Sequence, residues 1–224
     1  MNPKEEDLKK KIVEISRRLY QNGLVVGTGG NVTARIPGSP HILATPSGVC
    51  KGFLSPKDII KIDLDGNVVE GRLKPTSETP MHTEIYKVRE DVNAVVHAHP
   101  PYCTGFACAR VPLSSPIFPE AIVVVGEVAL VEYATPGTKE LALKTAEAAK
   151  THNALILANH GTITLGSSLE QAYQRTEVLE EYAKVLFVST LLGGPKPLSA
   201  EEVRRIMGLY RQGRKNKSIK YAEE

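Results

Sequence analysis

The stretch "NAVVHAHPPY", Asn93 to Tyr102, sets two histidines one residue apart at the end of an apolar run. "AVVHAH" reads as a buried strand, and side chains alternate along a strand with period two, so His97 and His99 share one face. Two imidazoles side by side at a strand end form a clamp for a cation. HxH by itself is a weak motif, and hydrogen-bonded histidines also sit at strand ends. The reading therefore depends on further ligands. His160, in "LILANHGTI", falls just beyond another buried strand, with Gly161 allowing a sharp backbone turn. Glu78, in "KPTSETP", stands at or just before a helix start. Three neutral imidazoles leave a divalent ion its full charge and an open position, the layout of a catalytic rather than a structural zinc. A carboxylate that can bind the metal or leave it is the natural base beside it. His41, His82 and His152 have no such setting and read as structural or exposed.

Outward from the histidines, the chain alternates strands with long helices. The first twenty residues predict an amphipathic helix with Leu8, Ile12, Ile15 and Leu19 on one side, closed by Gly23. "LVVGTGGNVTARIP" and "HILATPSG" lead into strands, and "IIKIDLDGNVVEG" predicts two short strands around an Asp65-Gly66 turn. Ser77 or Thr79 would cap a helix with Pro80 in its first turn. "PPYCTGFACAR" predicts a short helix, "AIVVVGEVALVEY" one or two strands, and "GTKELALKTAEAAKTH" a helix. "ALILANHGTITLG" is a strand, a loop and a strand; a long helix follows, and "SAEEVRRIMGLYRQG" closes the fold. Strands flanked by helices on both sides predict an α/β class, layered as a three-layer α/β/α sandwich.

"GTGGN", Gly27 to Asn31, is neither a Walker loop nor a dinucleotide turn, since the required Lys and glycine spacing are missing. Its glycines, with Thr28 and Asn31, nonetheless expose backbone N–H groups to an anion. "TPSG", Thr45 to Gly48, and "PTS", Pro75 to Ser77, add hydroxyls and further donors. Each taken singly reads as a turn. A basic side chain is missing from all three, so neutral donors would do the binding.

Length and charge bound the rest. A chain of 224 residues is one domain by the usual prior. Its net charge of +3 and 5% aromatic content argue against a nucleic-acid partner. No apolar run approaches the roughly 20 residues of a membrane span, and the charged N-terminus does not read as a signal peptide. Cys50, Cys103 and Cys108 form no CxxC pair and read as buried, reduced thiols of a cytoplasmic protein. From about residue 211 the basic C-terminus reads as a solvated, mobile tail.

"GTGGNVTAR", "LATPSG", "KPTSETPMHTEIYKVREDVNAVVHAHP", "YATPGTKELA" and "ANHG" occur in this order, and together they resemble the zinc-dependent class II aldolase and adducin-head family. The resemblance runs from the first helix to about Leu192 and lies nearest the branch that cleaves L-fuculose 1-phosphate. It implies a single domain over residues 1–224 with a central, mostly antiparallel sheet, in a homotetramer with active sites between subunits. It makes His97, His99 and His160 the zinc ligands, and Glu78 the fourth ligand and acid/base. Thr28, Gly30, Asn31, Ser47, Gly48, Thr76 and Ser77 would hold the substrate phosphate. The implied reaction is reversible cleavage of a phosphorylated ketose to dihydroxyacetone phosphate and an aldehyde. Pentulose-phosphate 4-epimerases of the family carry Asp where this chain has Glu78, which favours the aldolase. A tyrosine of the aldolase branch has no clear counterpart in "SSPIFPEAIVVVG", where Phe118 and Glu120 stand instead. Glu120 resembles the acid of the methylthioribulose-1-phosphate dehydratase branch; it is either a second acid/base or a charged residue at a strand start. Tyr210 or Tyr221 of a neighbouring chain could take the missing tyrosine's place. An adducin-like interaction module would have lost the metal residues, and this chain keeps them.

Overall fold

The computed structural model describes residues 3–220, with side chains over 4–212. Helix α1 (Pro3–Gln21) buries Ile12, Ile15 and Leu19, as its apolar spacing predicts, with Leu8 packed at the edge of the same cluster. It ends where Gly23 takes φ +68°, a left-handed conformation that costs glycine little. There Gly23 N–H donates to Tyr20 O and Leu24 N–H to Leu19 O, which satisfies carbonyls the helix leaves open.

Eight strands form one sheet: β1 (Asn31–Arg35), β2 (Ile42–Ala44), β3 (Ile60–Ile62), β4 (Val68–Glu70), β5 (Ala94–Ala98), β6 (Val128–Val131), β7 (Ala154–Leu157) and β8 (Gly161–Gly166). Their spatial order is β4-β3-β2-β1-β5-β8-β7-β6. Every neighbouring pair is antiparallel except β6 with β7. Both faces of the central strands are buried. In β5, Ala94, Val96 and Ala98 pack with α1 and with α5 (Leu169–Leu191). Val95 packs on the opposite face with α2 (Thr79–Val88) and α4 (Lys139–Ala149). Helix α3 (Pro101–Ala109) joins α5 on the first face through Cys103 and Ala107. The architecture is the expected three-layer α/β/α sandwich with a mostly antiparallel sheet.

Three local expectations are corrected. Ala121–Val125 is a π-helical turn, not a strand. Its β-branched run favours a strand, but Ala121 and Val125 bury one side against α5, and tertiary packing overrides propensity. Neither Ser77 nor Thr79 caps α2; the cap position belongs to Glu78, whose side chain turns elsewhere. Of the three free cysteines, Cys103 is buried, Cys50 half-buried and Cys108 exposed; Cys103 and Cys108 differ because the short α3 presents only one face to the core. The backbone of the basic C-terminal stretch continues α6 (Ala200–Lys220); Tyr221 lies outside the described residues.

Candidate active site

Sheet register builds the site. His97 pairs across β5 with Asn31 at the start of β1 on one side and with Ile163 of β8 on the other. The end of β5 and the starts of β1 and β8 therefore meet at one end of the sheet. The β7–β8 turn carries His160 to the same place. Within it Asn159, not Gly161, takes the left-handed conformation, at φ 57°. Gly161 is needed for a different reason: a Cβ there would lie 2.5 Å from Ala98 O and 2.6 Å from the His99 ring. Gly30, at φ +68°, meets both demands, since a Cβ would come within 2.8 Å of His97 O. His99 follows β5 and is held by its N–H to Leu24 O at 3.0 Å. The turn of α3 that starts next is anchored by Glu180, whose carboxylate accepts from the N–H groups of Tyr102 and Cys103.

Ligating atoms of Glu78, His97, His99 and His160 all lie within 4.8 Å of one another. His160 Nε2 is 2.8 Å from Glu78 Oε1, His97 Nε2 is 3.3 Å from Glu78 Oε2, and the Nε2 atoms of His97 and His99 are 3.0 Å apart. His97 Nδ1 lies 2.8 Å from Thr162 O. A carbonyl can only accept, so Nδ1 carries the proton and Nε2 presents its lone pair to the cluster. Two imidazole nitrogens facing each other at this distance repel unless a cation or shared proton lies between them. About 3.4 Å separates ligand atoms around a tetrahedral zinc with bonds of 2.0–2.1 Å, and the observed spacings approach that. The donor set thus fits a divalent metal. Among the described residues this is the one such cluster of His, Cys, Asp and Glu.

Burial opposes ionisation of Glu78, but the imidazoles of His97 and His160 outweigh it and hold the carboxyl far below the usual carboxylate range. Burial, with His97 and His160 adding to it, brings His99 down to about 4, so this imidazole is neutral at pH 7 and available as a ligand. Asn31 Nδ2 donates to Glu78 Oε2 at 2.9 Å and fixes the carboxylate from the cradle side. This uses one of the two Asn31 amide hydrogens and leaves the other to donate to an anion.

The three glycine, serine and threonine turns do come together beside this cluster. Pro46 and Pro75 form an isolated antiparallel bridge, and Ser47 N–H donates to Lys74 O. Gly137 backs onto Ser77, where a Cβ would lie 3.3 Å from the Ser77 Cβ. Thr28, Ser47, Gly48 and Ser77 are exposed, Thr76 is half-buried, and Gly30 is buried. Gly29 abuts His99, its Cβ direction 3.1 Å from Nδ1, so cradle and metal cluster share a border. Contrary to the sequence reading, a basic residue does reach the cradle. Lys51 is almost fully buried, and its ammonium donates to Thr28 O at 3.0 Å and Val49 O at 3.2 Å. No sequence signal marked it, because lysines are usually exposed. Glu120 is exposed at the start of the π-turn and is not among the clustered residues. His82, read as structural, is fully buried on α2 with Nδ1 2.8 Å from Thr33 Oγ1.

A mostly antiparallel sheet between helix layers, with three histidines and a glutamate converging at one sheet end, is the fold and candidate metal-binding donor set of a lyase of the class II aldolase type. The chain belongs to the Class II Aldolase and Adducin N-terminal domain family, whose pattern matches residues 10–187. It is 43% identical over 176 residues to an L-fuculose phosphate aldolase of Methanococcus maripaludis, covering 79% of this chain and 94% of that one. It is 36% identical over 188 residues to the 3-oxo-tetronate 4-phosphate decarboxylase of Escherichia coli, covering 82% and 88%. A solved L-fuculose 1-phosphate aldolase superposes with a TM-score of 0.85 at 35% identity, covering 92% of this chain and 96% of that one. Among the described residues no helix is long and apolar enough to cross a membrane.

Proposed function

We propose that the chain is a zinc-dependent aldolase that reversibly cleaves a phosphorylated ketose such as L-fuculose 1-phosphate to dihydroxyacetone phosphate and an aldehyde. The observation that carries this reading is the meeting of four metal-binding side chains with a three-turn anion cradle at one end of the sheet. His97, His99 and His160 would hold the zinc, with Glu78 as the displaceable fourth ligand. When bound, zinc supplies Lewis acidity at the ketose carbonyl, which lowers the cost of negative charge building there.

The chain's own groups do the remaining work. The peptide donors and hydroxyls of Thr28, Gly30, Ser47, Gly48, Thr76 and Ser77 hold the phosphate and so fix the reacting carbon beside Glu78. Asn31 orients the Glu78 carboxylate through one amide hydrogen and offers the other to the phosphate. In the synthetic direction the ionised Glu78 takes a proton from the donor-half carbon, and the aldehyde oxygen, becoming a hydroxyl, takes one from Glu120 or water. Cleavage runs both transfers backwards: the hydroxyl proton leaves to that group, and Glu78 returns its proton to the donor carbon. Glu120 would serve the aldehyde half from a neighbouring chain, in a cytoplasmic homotetramer with sites between subunits. Two observations support an assembly: Val26, beside the cradle loop, and Phe53, beside Lys51, are about three-quarters exposed although apolar.

The test is an assay of the metal-loaded protein on four substrates: L-fuculose 1-phosphate, L-ribulose 5-phosphate, methylthioribulose 1-phosphate and a 3-oxo-tetronate 4-phosphate. Dihydroxyacetone phosphate released from the first is the expected product. Turnover confined to epimerisation, loss of water or release of carbon dioxide would replace the aldolase with an epimerase, a dehydratase or a decarboxylase.

A further inference from the structure

Lys51 opens a short 3-10 turn, Lys51–Phe53, directly after the "TPSGVC" stretch. Its side chain is 1% exposed, and both hydrogen bonds of its ammonium go to neutral carbonyl oxygens, of Thr28 and Val49. Its own N–H donates to Gly27 O at 3.3 Å. Among the described residues no carboxylate forms an ion pair with it, and the attraction of Glu78 is felt only through space. A buried cation without a countercharge is costly to a fold and is rarely kept without one. Lys51 stands behind two of the three cradle turns, the Gly27–Asn31 loop and the Thr45–Val49 turn, and links them. On the solvent side of those turns the proposed function places a phosphate carrying about −1.5 to −2 charges.

We infer that Lys51 is a positioning residue for the substrate phosphate: its buried ammonium locks the two cradle turns together and supplies the positive charge that their neutral donors lack. This rests on the phosphate reading of the cradle given above. Burial pushes the Lys51 ammonium down to about 8, which still leaves it mostly cationic at neutral pH. A phosphate settling in front of it would favour the charged form further. The arrangement also explains why the cradle can present exposed threonine and serine to a sugar phosphate without a flexible surface lysine or arginine that would bind any anion.

The test is titration calorimetry of the metal-loaded protein with inorganic phosphate, dihydroxyacetone phosphate and unphosphorylated dihydroxyacetone. It compares the natural chain with Lys51→Gln, which can still donate hydrogen bonds but has no charge, and with Lys51→Arg. Lys51→Gln should weaken both phosphates roughly 10- to 30-fold, the effect of one unit charge several ångströms away at an intermediate dielectric. Dihydroxyacetone affinity and metal content should not change, and Lys51→Arg should recover part of the loss. Undiminished phosphate affinity in Lys51→Gln would overturn the inference, as would an equal loss for dihydroxyacetone, which would make Lys51 a scaffold tie alone. Should Lys51→Gln fail to fold, the ¹⁵Nζ resonance of Lys51 in the natural chain decides: it should shift on adding phosphate and not chloride, and an unmoved signal would refute the role. The aldolase reading fails separately. Lys51-dependent phosphate binding without cleavage of any ketose phosphate removes the aldolase and leaves Lys51. Cleavage with Lys51-independent phosphate affinity does the reverse.

Discussion

The end of the sheet that carries His97, His99 and His160 contrasts with the Ser114–Gly126 segment that carries Glu120. In the first, each functional side chain is fixed by hydrogen-bonded backbone: strand register places His97, the β7–β8 turn places His160, and Thr162 O sets the His97 tautomer. In the second, the chain makes a π-helical turn whose shape comes from packing against α5 and α6, and Glu120 is left in solvent. A rigid scaffold can hold a metal; an exposed outer turn holds no side chain in a fixed place beside it. The difference should be visible in the size of the effects that mutation produces on each side.

The largest effect is expected from removing the rigid ligands. His97→Ala and His160→Ala should lose bound metal, measured by elemental analysis of the dialysed protein, and cleavage should fall to background. Stoichiometric metal in either variant would separate the cluster from any metal function. Glu78→Gln comes next. With three histidines left, most of the metal should stay and the fold should persist, while turnover falls by roughly 10²- to 10⁴-fold, the usual worth of a general acid–base group. A Glu78→Gln enzyme of normal turnover would remove this carboxylate from the proton transfer.

Much of this side was legible in the sequence, for a physical reason. HxH at the end of an apolar run, a histidine flanked by Asn and Gly, and Glu before Thr-Pro are local patterns, and alternation along a strand converts them into a shared face. Gly161 reads as a turn residue, but Ala98 O and His99 leave no room for a side chain there. That closeness is between strands distant in sequence, so spacing along the chain does not reveal it. Lys51 escaped for a similar reason: its burial depends on the Gly27–Asn31 loop folding over it from another part of the chain. The "AIVVV" segment misled because β-branched residues favour strands in isolation, while the contacts that bend it into a π-turn come from α5 and α6.

A smaller effect should come from His82, which stiffens the floor of the rigid side. Burial brings this imidazole down to about 3, from an unfolded value near 6.5. A depressed folded pKa means that the unfolded chain binds the extra proton first. Its contribution is therefore complete above about pH 6.5 and is lost as pH falls toward 3. Thermal melts of chelator-treated protein should show stability dropping across that window, with a shallower drop in His82→Gln. The same slope in both proteins would mean that other groups carry the acid sensitivity.

The smallest effect is expected where the second region is tested directly, at Glu120. Its carboxylate is exposed and stands outside the cluster, so any part it takes falls on the half of the substrate far from the metal. Proton exchange at the dihydroxyacetone phosphate carbon needs Glu78 and the metal ligands of one sheet end. Glu120→Gln should leave that exchange, followed in deuterated water, at its normal rate, while cleavage slows by about tenfold, below the full range for a buried acid–base group. If exchange and cleavage fall together, Glu120 supports the fold rather than the aldehyde half. If neither falls, the outer turn is a bystander, and a tyrosine of α6 such as Tyr210 becomes the residue to change. A normal exchange rate beside slowed cleavage would show that the rigid region does the donor-half chemistry alone and that Glu120 acts on the aldehyde half.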